Sequence, residues 1–238
     1  MQKSLKCLSL LLAYPSAEIQ GEIDALADAM EKDGQLSGAA LGALTRLIDH
    51  YRSADIWDLQ EEYVQLFDRS RTLSLNLFEH LHGESRERGG AMVDLLETYR
   101  SGGFELQGSE LPDHLPVLLE FLSTRPVSEV REILVDASHI LGALHTRLTR
   151  RESPYAGVFA ALLNVAGVAL SAAQSPALLA EPDDDPNDLE ALDAVWEESE
   201  VTFGPDPNAG CPQVRDMLSN MDTPPAAARS QLTGADHA

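Results

Sequence analysis

The 238-residue chain is short of cysteine, of basic residues and of long apolar runs, and each shortage closes off a class of function. Its two cysteines, Cys7 and Cys211, cannot build a disulfide scaffold or a thiolate metal cage, and such usage fits a reducing compartment. Cys7 lies in an apolar run, where a free thiol acts as a small hydrophobe. Seventeen Lys and Arg stand against 39 Asp and Glu, for a net charge of −22. That balance argues against nucleic acid, whose phosphates need a basic surface, and against anionic membranes. It suits a cationic partner, and it also keeps a protein soluble. No run approaches the roughly 20 apolar residues that span a bilayer. The opening MQKSLKCLSLLLAYPSAE imitates a signal peptide, but its apolar run is short, is interrupted by Ser9 and ends at Pro15. Leu5, Leu8 and Leu12 recur at helical spacing, so a buried first helix in a cytoplasmic protein is the expectation.

What is present is helical period almost everywhere. Ile19, Ile23, Leu26 and Met30 make one stripe, and Leu41, Leu44, Ile48 and Tyr51 the next. Asp55 can cap a helix opening at Ile56. Gly102-Gly103 stops the helix that carries Leu95 and Tyr99. Leu115, Leu118, Leu119 and Leu122 form a stripe after Pro112, and Ile133, Ala137, Ile140, Leu144 and Leu148 form a longer one. Ser153-Pro154 opens an apolar helix running through Leu170. Strand alternation and hairpin signals are missing. The pattern predicts an all-α, single-domain bundle of about eight to ten helices over 1–173, followed by an acidic extension over 174–238. Glu152 to Val214 contains no Lys or Arg, and EPDDDPNDLEALDAVWEESE is crowded with acids. In that extension a short helix would present Leu189, Leu192 and Trp196, and the Pro- and Ala-rich end reads as disordered.

Chemical variety concentrates between Trp57 and Leu96. Two readings compete there. Glu79-x-x-His82 places a carboxylate and an imidazole one helical turn apart, and Asp136-x-x-His139 repeats the spacing, so with Glu62 and Glu120 a di-metal carboxylate enzyme can be assembled on paper. Against it, one pair uses the shorter Asp, and His139 runs into Ile140 and Leu141 on a core-facing stripe. Gly89-Gly90 lacks the Lys-Ser/Thr of a phosphate loop. The other reading is a peptide groove, which needs apolar pockets and charged walls. Trp57, Tyr63, Leu66, Phe67 and Phe78 would floor it. Asp58, Glu61, Glu62, Asp68, Glu79, Glu84 and Asp113 would form an acidic wall with His82 beside it, braced by Arg69, Arg71, Arg86 and Arg88. Leu66 and Phe67 also suit an ordinary core.

Two segments carry a family likeness. LFDRSRTLSLNLFEHLHGESRERGGAMVDLL resembles the hallmark segment of the NarJ-type nitrate reductase molybdenum cofactor assembly chaperones, in the TorD/DmsD group of redox-enzyme maturation proteins. Glu110-Leu111-Pro112-Asp113-His114, followed by LPVLLEFL, is similar to the acidic–Pro–Asp–His loop of that group. The resemblance spans Ser4 to about Ala173. It implies a non-catalytic chaperone that binds no cofactor stably. The client would be the nitrate reductase α subunit, gripped by its leader-like N-terminus while the molybdenum bis-guanine-dinucleotide cofactor is inserted and membrane docking is delayed. Cofactor-delivery proteins are possible further partners, with Glu110, Pro112, Asp113 and His114 as a loop beside the groove. A monomer is expected.

Overall fold

The structure, a computed structural model, describes residues 2–82 and 87–180, with the side chains of His82 and Glu87 outside the description. All of these lie in one compact unit, Met1–Asp188. The fold is all-α. Among the described residues are α1 (Lys3–Leu11), α2 (Ala17–Gly21), α3 (Ile23–Asp33), α4 (Gly38–Ser53), α5 (Ile56–Tyr63), α6 (Leu77–His82), α7 (Glu87–Ser101), α8 (Leu115–Ser123), α9 (Val127–Asp136), α10 (Ser138–Arg150), α11 (Ala156–Ala166) and α12 (Pro176–Ala180). A π turn (Val64–Asp68) extends α5 and a 3₁₀ turn (Arg71–Leu73) follows it. No described helix is long and apolar enough to cross a membrane. The short helix expected near Leu189 and the end expected to be disordered fall outside the described residues.

Local chemistry sets the helix ends. Ser16, Ser37 and Asp55 accept hydrogen bonds from the Ile19, Ala40 and Trp57 amides, each satisfying an amide that the first turn leaves without an intrahelical acceptor. Gly34 and Gly167 take the left-handed conformation that closes α3 and α11. At Gly167 two bonds complete the stop, Val168 N–H to the Leu163 carbonyl and Gly167 N–H to the Asn164 carbonyl. That glycine ends α11 before Leu170, where the apolar pattern alone would have carried it. At the front of α11, Ser153 and Pro154 form a tight i→i+3 turn instead of the first helical turn.

Two stripes read as single helices are each broken. The first breaks at Glu22, between α2 and α3, and the second at Ala137, between α9 and α10. The apolar face continues across each break: Ile23, Met30, Ile140, Leu144 and Leu148 are buried, and Ile19, Leu26, Ile133 and Ala137 pack half-buried against the core. Periodicity therefore stays intact while the axis turns, and a pattern of spacings cannot register the turn.

The core joins α1, α3, α4, α8, α9, α10 and α11. Two approaches are close enough to require glycine. A Cβ on Gly157 of α11 would stand 2.1 Å from the Ala43 carbonyl oxygen of α4, and one on Gly142 of α10 would stand 2.1 Å from the Ala173 carbonyl oxygen. The N-terminus is tied to a distant segment. Gln2 donates its backbone N–H to the Ser123 carbonyl (2.7 Å) and its side-chain amide to the Arg125 carbonyl (2.7 Å). Ser9 Oγ donates to the Pro116 carbonyl at 2.7 Å, so α1 is held along α8.

Candidate functional site

The site begins with a local irregularity. In a straight α-helix, residues five apart point about 140° from one another. The π turn after Tyr63, closed by Arg69 N–H to the Val64 carbonyl at 3.0 Å, widens the coil. Tyr63 and Asp68 consequently line the same cleft. Tyr63 is fixed there by its hydroxyl, which donates to the Leu12 carbonyl (2.9 Å), and by an edge contact with Tyr14 at 5.6 Å.

This cleft, of about 420 Å³, lies between α1 and α8 with the π turn and the Glu110–His114 loop at its edge. Lys6, Ser9, Leu10, Ala13 and Tyr14 come from α1 and its exit, and Pro116, Val117 and Glu120 from α8. Three carboxylates reach it: Asp68, Glu110 and Glu120. Its one lining Lys, Lys6, is ion-paired with Glu120. His114 Nδ1 sits 3.5 Å from Glu110 Oε2, within electrostatic range but without hydrogen-bond geometry. Burial lowers the His114 pKa, against the opposing pull of Glu110, Asp113 and Asp68, which leaves the imidazole neutral near pH 7. Asp68 is exposed as a residue, yet desolvation of its carboxyl and the charge of Glu110 raise its pKa, with His114 opposing. The cleft is thus negative with an aromatic floor.

The loop beside it is built inward. Asp113 has no exposed surface. Its Oδ2 accepts the Phe78 N–H at 2.9 Å, its carbonyl accepts the Leu77 N–H at 3.1 Å, and Leu115 N–H returns to the Leu75 carbonyl at 2.8 Å. Asp113 therefore caps the start of α6, and Asn76 and His114 form an isolated antiparallel bridge. Tyr99 Oη donates to the Pro112 carbonyl at 2.6 Å. Asp113 Oδ1 is buried and accepts no hydrogen bond, and burial pushes the carboxyl above its ordinary range, against the Phe78 amide and the charge of Arg88. Asp113 also lines a second cleft of about 360 Å³, walled mainly by Phe78, Leu81, Leu95, Leu118, Phe121, Ile133 and Ile140. Adjacent loop residues thus serve two clefts of opposite character, His114 the acidic one and Asp113 the apolar one.

The expected groove residues divide accordingly. Tyr63, Asp68, Glu110 and His114 meet at the acidic cleft, and Phe78 and Asp113 at the apolar one. Pro112 is buried behind the loop. Leu66 and Phe67 are in the core, where Phe67 packs its ring 5.0 Å from Tyr63 and 5.2 Å from Tyr155. Trp57, 75% exposed, and Asp58 face solvent on α5 and line neither cleft. Glu62 pairs with His50 at 2.6 Å, and Glu79 accepts from Arg88 at 3.1 Å. Glu84, Arg86 and the His82 side chain lie outside the described residues. The sequence reading missed Lys6, Ser9, Leu10 and Tyr14, and it did not place Glu120 in a groove. Their signal was weak: Lys6, Ser9 and Leu10 lie off the Leu5–Leu8–Leu12 stripe, and Tyr14 follows the end of α1. Of the carboxylates considered for a metal pair, Glu62, Glu79 and Glu120 each face a basic side chain. Among the described residues, no three His, Cys, Asp or Glu side chains converge at metal-binding distance.

Comparison with known proteins adds ancestry to this geometry. The model of the family described as nitrate reductase delta subunit matches residues 22–161. The nitrate reductase molybdenum cofactor assembly chaperone NarJ of Escherichia coli K12 is 43% identical over 208 residues, covering 87% of each chain. NarW of the same strain is 42% identical over 209 residues, covering 87% of this chain and 86% of its own. A solved structure of a candidate redox enzyme maturation protein from Archaeoglobus fulgidus aligns with 68% of this chain and 91% of its own, at 26% identity and a TM-score of 0.48.

Proposed function

This chain belongs to the nitrate reductase delta subunit family, in its NarJ-type branch, and from that premise we propose that it is an assembly chaperone for a respiratory nitrate reductase. Its client is the catalytic α subunit. The chaperone holds the unfinished subunit while the molybdenum cofactor enters it, and it performs no catalysis of its own. It acts as a monomer in the cytoplasm, ahead of membrane docking, and delays that docking. The observation that supports this most directly is 43% identity to a NarJ chaperone along 87% of both chains.

The finer reading concerns how the client is held. The acidic cleft between α1 and α8 takes the cationic part of a leader-like N-terminal helix, with Tyr14 and Tyr63 beneath it and Asp68 and Glu110 as counter-charges. A chaperone that must let go needs moderate affinity, since a nanomolar grip corresponds to about −12 kcal/mol. Calorimetric titration of the N-terminal peptide of the α subunit tests the assignment. Asp68→Asn removes one exposed charge without disturbing the core, and affinity is expected to fall about five- to tenfold, near 1 kcal/mol, the scale of an exposed ion pair. Unchanged affinity would move the client away from this cleft. Failure of the full-length chain to co-purify with apo α subunit would overturn the chaperone reading itself.

A further inference from the structure

The helix pair that walls the acidic cleft supplies a cation of its own. Gln2 is bonded to Ser123 and Arg125, and Ser9 to Pro116, so α1 and α8 run antiparallel along one another. Lys6 lies between those ties on α1 and Glu120 between them on α8, and their side chains form an ion pair. Lys6 is the first lining residue along α1 and Glu120 the last along α8, so the pair marks one end of the cleft. Asp68, Glu110 and His114 gather away from it, with Glu120 about 9 Å along α8 from His114. The two ends differ in charge. Among the described residues, neither Asp68 nor Glu110 is ion-paired with a Lys or Arg, and the imidazole beside Glu110 is neutral near pH 7. Glu120 is the one cleft carboxylate already neutralised by a cation.

We infer that Lys6 is a built-in competitor of the client: its ammonium holds Glu120, the carboxylate that a second cationic side chain of the bound segment would otherwise take. The inference rests on the acidic cleft being the client's site, and it adds how the grip of that site is set. The side chains of Lys6 and Glu120 are 34% and 45% exposed, so water reaches the pair and it can open. An ion pair of this kind is weak, and exchanging Lys6 for a client cation trades one such bond for another with little net gain. Pairing at Asp68 and Glu110 then supplies what charge adds to affinity. Without Lys6, Glu120 would face the cleft as a third counter-charge, and a like charge that repels an approaching cation would be gone. The fold favours the resident. The ties on either side of Lys6 hold it opposite Glu120, whereas a client must order a side chain of its own to arrive there. Lys6 thereby keeps affinity in the moderate range that release requires.

Calorimetric titration of the N-terminal peptide of the α subunit into the full chain tests the competitor. Lys6→Met is expected to raise affinity about three- to fivefold, the scale of one exposed ion pair. Adding Glu120→Gln to Lys6→Met is expected to remove that gain. Lys3→Met deletes the same charge from an exposed position of α1 outside the cleft, where water and salt screen it, and is expected to change affinity by no more than about twofold. A plain strut between α1 and α8 would behave otherwise: Lys6→Met would lower the urea midpoint and leave affinity where it was, and that result would overturn the competitor. An equal gain from Lys3→Met would overturn it too, because net charge would then account for the effect, and so would a gain that survives Glu120→Gln. Asp68→Asn keeps the inference and its premise apart. A loss there with no gain at Lys6→Met removes the competitor and leaves the cleft, whereas no change in either variant removes the cleft as the client's site and the competitor with it.

Discussion

The seam between α4 and α11 and the corner around Asp113 are held by opposite kinds of force. In the seam the backbones meet so closely that Gly157 has no room for a methyl group, and the surrounding side chains are apolar and fully buried. In the corner a π turn, a 3₁₀ turn and a buried loop are joined by single hydrogen bonds to main-chain atoms, and ionisable groups sit partly out of water. The seam can carry most of the stability because its contacts are dense and tolerate no alternative packing. The corner carries the cleft, because unlike charges and aromatics can be held there at defined positions only by specific bonds. The proposed site thus lies in the part held by fewer and more specific bonds.

The sharpest way to break the contrast is in the seam. Gly157→Ala forces a Cβ against the Ala43 carbonyl oxygen, and overpacking of this kind should remove about 3 kcal/mol, read by urea denaturation, while the folded fraction binds client peptide as before. In the corner, Asp113→Ala leaves the Phe78 amide without its acceptor and should cost about 1–2 kcal/mol, the usual range for a lost cap. Unlike the seam variant it should also weaken peptide binding, because the loop that carries His114 is released.

Acidification separates the two regions without mutation. Folding lowers the His114 pKa, so below the ordinary histidine value the unfolded chain takes up more protons than the folded one, and stability contributed by the neutral ring is lost as pH falls through that range. Asp68, whose pKa is raised by burial, loses its charge at a higher pH than an ordinary aspartate does. Positive charge grows and negative charge shrinks in one cleft on acidification, so affinity for a cationic peptide should decline as pH falls below the ordinary histidine value. His114→Gln should flatten part of that decline, and an unchanged profile would remove His114 from the cleft's electrostatics. The smallest expected effect is at Glu152, which closes α10 with φ +55°. Glu152→Gly relieves a left-handed side-chain residue and should raise stability by about 0.5–1 kcal/mol in thermal melts, with no change in binding.

The same division governs what could be read in advance. Helical stripes such as Leu5–Leu8–Leu12 and Leu115–Leu118–Leu119–Leu122 were legible because burial imposes a 3.6-residue period on them. The Asp55 cap and the stop at Gly102-Gly103 were legible from side-chain chemistry. The turn at Ala137 was not, because it carries no Pro or Gly, and at Glu22 the adjacent Gly21 was overridden by an apolar stripe that continues across it. The cleft was half legible. Tyr63, Asp68, Glu110 and His114 lie in compositionally unusual segments, whereas the α1 and α8 walls come from ordinary helices brought together across more than 100 residues. Phe67 and Leu66 were drawn into the groove by their company in sequence, but the π turn points them at Tyr155 and the core.

The bonds from Gln2 to Ser123 and Arg125 impose a schedule on a protein being made. While the chain emerges from the ribosome, α3 is available early to cover part of α1, but α8 is not. At 5–20 residues per second, roughly ten seconds separate the appearance of the first helix from that of its second partner. For that time Leu5, Leu8 and Leu12 lack part of their cover, so an assembly chaperone passes through an unsheltered interval of its own.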